Sequence, residues 1–143
     1  ALERFKKSGK PIIAYCENLG NGSYYMASVA DKIILDPASE SMISGVGSQM
    51  IFLKDLFDAL GVDVQLIRHG KYKAAGEMYT RSSASPENRL QTEVMINSIW
   101  NTMASEIAAS RGFTKEQFNE WIENLEVIHA SEFKEKVLIS PIC

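Results

Sequence analysis

Two stretches of this sequence hold residue types able to do covalent chemistry. The first is the corner Gly20-Asn21-Gly22-Ser23-Tyr24-Tyr25. Hydrolases present nucleophiles at glycine-rich strand-to-helix turns, because free backbone N–H groups there can stabilise an oxyanion. Ser23 stands at such a corner, although most serines ahead of a helix serve only as caps. The second stretch is Gly70-Lys71-Tyr72-Lys73, followed by the small residues Ala74, Ala75 and Gly76. Arg68, Lys71 and a nearby helix N-terminus would all disfavour the protonated form of Lys73. If the amine were also desolvated it could act as a general base; otherwise Lys73 is an ordinary solvated lysine.

Other chemistries find less support. His69 and His129 are 60 positions apart and form no ligand pattern with a neighbouring Cys, Asp or Glu, so no metal is expected. Ser44-Gly45-Val46-Gly47-Ser48 lacks both the third glycine of a dinucleotide fingerprint and the Lys-Ser/Thr of a phosphate loop. It reads as a tight backbone turn, and no cofactor is expected. Cys16 and Cys143 are too few for a disulfide scaffold.

The elements that must position these residues follow from patterning. The chain has 143 residues, 45% hydrophobic and 23% charged, with a net charge of −3. That profile suits one folded domain over 1–143 and argues against a nucleic-acid partner, which calls for a basic excess. No apolar run reaches the roughly 20 residues of a membrane helix, and residues 1–10 hold no signal-peptide core. The charge is uneven: Arg68, Lys71, Lys73 and Arg81 stand against Glu77, whereas residues 112–143 hold six acids and three lysines. A solvated surface with a basic loop and an acidic helix accounts for this.

Residues 1–8 fit the end of a helix stopped by Gly9. Residues 11–15 and 32–35 are short apolar runs that suit buried strands, with a helix over 23–30 between them. A helix is predicted from about residue 51 to 60, a strand over 62–67 and a short helix over 74–79. Ser85-Pro86-Glu87 is a helix start with an N-cap serine, an N1 proline and an acidic first turn, and the period runs on to about Ser110. Thr114-Lys115-Glu116-Gln117 is a capping-box pattern for a last helix carrying Phe118, Trp121 and Ile122. Strands alternating with helices, then helices alone, imply an α/β layered domain. The chain opens on Ala1 inside a helix and ends as the strand-like run 138–143 begins, so it is expected to be a fragment of a longer protein.

Two blocks of the sequence resemble the bacterial signal peptide peptidases of the protease IV type. One is Gly9-Lys10-Pro11-Ile12-Ile13-Ala14-Tyr15, leading through Gly22-Ser23-Tyr24-Tyr25-Met26-Ala27-Ser28 to Ala30-Asp31-Lys32-Ile33. The other is Gly70-Lys71-Tyr72-Lys73-Ala74-Ala75, running through Glu77 to Arg81. The resemblance covers roughly residues 1–135 and implies a ClpP/crotonase-like fold, here incomplete at its N-terminus. It also implies a serine–lysine dyad whose lysine is Lys73. Long members contain two related halves, and this chain resembles the amino-terminal, lysine-bearing one. Nucleophile-bearing halves read Ser-Gly-Gly-Tyr at the corner; aligned on Tyr24, this chain places Asn21 at the nucleophile position. Ser23 is then structural, and Gly22 is expected to keep the oxyanion corner's geometry. The ending 137–143 departs from the family's usual Gly before Leu-Val-Asp.

The family further implies hydrolysis of cleaved signal peptides at the bacterial cell envelope by a membrane-associated homo-oligomer. A second domain or protomer would supply the serine. On its own this chain would be inactive. Two rivals stand beside this reading. A crotonase-like acyl-CoA enzyme would need paired carboxylates, for which Glu17 and Glu77 are the nearest acids. A non-catalytic assembly domain would use the apolar pairs Phe118/Trp121 and Ile99/Trp100 to build an oligomer.

Overall fold

The structure, a computed structural model, describes every residue except Arg68, Lys71, Val137 and 141–143. The chain forms two compact units, Ala1–Gly45 with Trp100–Cys143, and Val46–Ile99.

In the first unit, α1 (Leu2–Lys6) precedes β1 (Ile13–Cys16), α2 (Asn21–Ala27) and β2 (Lys32–Leu35). The two strands pair in parallel, Ile13 opposite Lys32 through Cys16 opposite Leu35. A parallel pair needs a crossover, and α2 supplies it. Alternation decides what each strand buries. Ile33 and Leu35 point into the core, while Ile13 and Tyr15 of β1 face outward and are about two-thirds exposed. The turn into β2 is fastened by Asp31, whose carboxylate accepts from the Ile12 N–H at 2.8 Å and pairs with Lys6 at 2.9 Å. Beside it, the Ser140 N–H donates to the Ile33 carbonyl at 2.8 Å, which sets Ser140 against β2.

Tyr24 and Phe118 lie at the centre of this unit's core, with Ile43, Ile107, Val127 and Phe133 around them. The Tyr24 hydroxyl donates to the Leu138 carbonyl at 3.0 Å. Burial raises its phenol far above the ordinary range, so it stays a neutral donor at any working pH. Phe118 comes from α6 (Lys115–Glu123), which starts as the sequence predicts: the Gln117 N–H donates to Thr114 Oγ1, and the Gln117 side chain accepts from the Thr114 N–H. Trp100 stacks on Phe118 with ring centres 5.7 Å apart, and Trp121 packs edge-on to Phe113. Phe118, Trp100 and Trp121 therefore pack in or against this core, whereas Ile99, the other residue named for the assembly rival, is 46% exposed.

A seventh helix, α7 (Ala130–Glu135), has no counterpart in the sequence reading. Glu132 starts it, accepting from the backbone N–H groups of Ile128 and His129 at 2.8 Å each. The His129 and Ile128 bonds hold its carboxyl below the usual range. A depressed carboxylate contributes stability above its unfolded value and loses it as pH falls through the folded one. Glu132→Gln is therefore expected to lower the urea midpoint near neutral pH and to match the parent well below the ordinary glutamate value of about 4.3. A deficit that stays constant down to acid pH would contradict this.

In the second unit, α3 (Lys54–Ala59), α4 (Glu77–Thr80) and the first half of α5 (Pro86–Arg111) are joined by long irregular stretches. Phe57 of α3 meets Tyr79 of α4 at 6.1 Å between ring centres, and the Leu53 N–H donates to the Met78 carbonyl at 2.6 Å. Residues 51–53 are not helical, so α3 starts three residues later than predicted. The strand predicted over 62–67 is not formed. A ladder needs a partner, and among the described residues this unit offers no second strand. The alternation instead leaves Val62, Leu66 and Ile67 exposed on an irregular segment.

Candidate active site

The corner at residue 20 is tied down from both sides. Leu19 is buried, its N–H donating to Ser41 Oγ at 2.7 Å and its carbonyl accepting from the Met42 N–H at 2.9 Å. The next residues turn into α2, whose first residue is Asn21. The Asn21 side chain donates to the Gly45 carbonyl at 2.6 Å and accepts from the Ser44 N–H at 3.1 Å. Gly45 has φ +72°, a conformation that disfavours side chains, so its glycine fixes the carbonyl that Asn21 reaches. Both ends of the carboxamide are thus engaged with the 44–45 turn. Ser23 accepts from the Gly20 N–H at 2.9 Å, and its hydroxyl is 3.3 Å from the Gly20 carbonyl. Its oxygen closes the first turn of α2 onto the preceding residue. Gly22 is exposed, with open space where a side chain would stand.

Lys73 belongs to the second unit and stands on the irregular stretch just before α4. It is exposed and lines an open cleft of about 430 Å³ with Tyr72, Ala74 and Ala75 on one wall and Asn88, Gln91, Thr92 and Met95 of α5 on the other. A second hollow of about 420 Å³ shares Ala74, Ala75, Asn88, Thr92 and Met95 and adds Met50, Ile51, Phe52 and Met78. Together they make an amine beside an apolar trough. The neighbouring cations that the sequence reading placed around Lys73, Arg68 and Lys71, lie outside the described residues.

Four positions beyond Lys73, Glu77 is 1% exposed. Its carboxylate accepts from the Ser85 N–H at 3.0 Å, the Ser85 hydroxyl at 2.6 Å and the Asn88 side chain at 3.1 Å. Sequence reasoning counted Glu77 as a lone acid in a basic loop, as part of the family-like block and as a candidate acid for the acyl-CoA rival. Nothing in its spacing shows that it is buried, although the strong helix start at Ser85 marks where donors for a carboxylate would be found. A carboxylate so enclosed is not open to a substrate, and Glu17 is exposed in the other unit. Neither acid is set as the acyl-CoA rival requires.

His69 is exposed and His129 is the N-cap of α7. Among the described residues no group of three His, Cys, Asp or Glu side chains is placed to hold a metal ion, and no helix is long and apolar enough to cross a membrane.

The model of peptidase family S49 matches residues 4–142. Protease 4 of Haemophilus influenzae is 32% identical over 117 residues, which cover 82% of this chain and 19% of that protein. Protease 4 of Salmonella typhi is 35% identical over the same shares. The chloroplastic serine protease SPPA of Arabidopsis thaliana is 32% identical over 138 residues, 96% of this chain and 20% of its own length. The chain thus spans about a fifth of these relatives.

Proposed function

The chain belongs to peptidase family S49, and from that premise we propose that it supplies the general-base lysine, Lys73, to a serine carried by another domain or protomer. The whole would have the ClpP/crotonase-like layered fold of which the parallel β1–α2–β2 unit is one part. The observation that carries this reading is the match of residues 4–142 to a peptidase family in a chain whose corner presents the engaged amide of Asn21. An amide in that position has no alkoxide to offer, and Ser23 is bonded back onto Gly20. The nucleophile must therefore come from elsewhere.

In the proposed reaction, Lys73, exposed in this chain and desolvated once the serine-bearing domain or protomer covers it, takes the serine hydroxyl proton as a neutral amine while the oxygen bonds to the scissile carbonyl carbon. Backbone N–H groups at a corner such as that around Gly22 hold the resulting oxyanion. The lysine ammonium then gives its proton to the departing amine, and water activated by the same amine releases the acyl group. The trough of Met50, Ile51, Phe52 and Met78 suits an apolar, extended peptide, the character of a cleaved signal peptide. By family resemblance, the assembled enzyme would be a membrane-associated homo-oligomer of the cell envelope.

A serine-directed fluorophosphonate probe tests the division of labour. The complete protein is expected to take the probe at a serine outside residues 1–143, and the 143-residue chain alone to take none. Labelling of the isolated chain that Ser23→Ala abolishes would overturn the reading.

A further inference from the structure

Glu77 is the charged residue among the buried polar side chains of the described residues. A carboxylate is withdrawn from water only at high cost unless donors surround it. Here the donors come from the first turn of one helix. The Ser85 hydroxyl that donates to Glu77 also accepts from the Asn88 N–H at 3.2 Å, so one oxygen caps α5 and binds the acid. The carboxylate faces the positive end of a 26-residue helix.

Lys73 itself stands on irregular backbone, and the chain between it and Glu77 is Ala74-Ala75-Gly76, turned by a bond from the Glu77 N–H to the Ala74 carbonyl at 2.9 Å. The position of Lys73 is therefore set backwards from Glu77. From the other side, Leu66 presses on Gly76 so closely that a Cβ there would come within 2.5 Å of its Cδ1. Asn88 ties the two features together: its side chain donates to Glu77, and it lines the cleft that Lys73 opens onto.

We propose that Glu77 is a positioning residue for Lys73, fastening the lysine-bearing stretch to the start of α5 and so fixing where the amine stands along the cleft wall. The inference rests on the peptidase reading above. In Glu77→Gln the charge that faces the start of α5 is lost, and the orientation that keeps the oxygen on the Ser85 N–H and Asn88 turns the Ser85 hydroxyl from donor into acceptor, so the clamp loosens. Displacing a catalytic base by about 1 Å can cost about 100-fold in rate while leaving remote substrate contacts intact.

The test uses the complete protein and an apolar fluorogenic peptide, comparing Lys73→Ala, Glu77→Gln, Ser85→Ala and Ser85→Thr. Glu77→Gln is expected to lower kcat by about tenfold with KM within about threefold. Ser85→Ala should lower kcat by about tenfold, and Ser85→Thr, which keeps the hydroxyl, should restore most of it. A parent-like kcat in Glu77→Gln while Lys73→Ala is inactive would overturn the positioning role alone. Parent-like turnover by Lys73→Ala would instead bring down the general-base reading. If Glu77→Gln does not fold, the Ser85 pair decides: no loss in the alanine variant, or no recovery in the threonine one, rejects the proposal.

Discussion

Replacing Lys73 with alanine is expected to reduce turnover by the assembled peptidase by about 10²- to 10⁴-fold, the usual worth of a positioned general base. The protein should nonetheless stay folded. Lys73 is exposed at the mouth of an open cleft, and changes at such sites shift stability by no more than about 0.5 kcal/mol. Lys73→Arg should be as inactive as the alanine variant, because a guanidinium does not give up its proton at working pH. Peptide turnover measured beside thermal unfolding separates the two effects. Turnover within threefold of the parent in either variant would sink the assignment. Loss of activity together with loss of fold would point to a structural lysine.

The largest effect on stability is expected at Phe118. Its side chain is fully buried, and its ring lies 6.4 Å from that of Tyr24, 5.7 Å from Trp100 and 5.3 Å from Phe113. Phe118→Ala removes the ring that joins α6 to α2 and to the second half of α5. The surrounding aromatics are themselves bonded in place, Tyr24 to Leu138 and Trp100 to Asn119, so they cannot collapse into the space. The expected cost is about 3–5 kcal/mol, a large share of a domain's total stability. Urea unfolding followed by tryptophan fluorescence would measure it. A cost below about 1 kcal/mol would mean that the core repacks freely, against the dense contacts around the ring.

Elements whose cause is local were legible in the sequence. Ser85-Pro86-Glu87 states the start of α5 in its own chemistry, and Thr114 with Gln117 does the same for α6. The two strands were legible because their apolar runs are short and bounded by turns. The failures have two physical roots: partners that only the folded chain supplies, and a local cap that no residue type announces. Residues 62–67 alternate as a strand would, but alternation supplies only half of a ladder. The cap of α7 is carried by Glu132, whereas His129, at the N-cap, is not a residue type that announces a helix. Lys73 and Asn21 could be singled out by type, spacing and resemblance. The burial of Glu77 could not, because it depends on donors eight and eleven positions away that only the folded chain presents.

The amide of Asn21 also constrains how this corner could change over time. It holds the 44–45 turn by a donor and an acceptor placed on different atoms of one side chain. A serine there would carry donor and acceptor on a single oxygen one bond closer to the backbone, and would reach less far toward the Ser44 N–H and the Gly45 carbonyl. A hydroxyl at this position would therefore loosen the turn unless the turn had first found other support. Turn support and a free hydroxyl thus compete for one position.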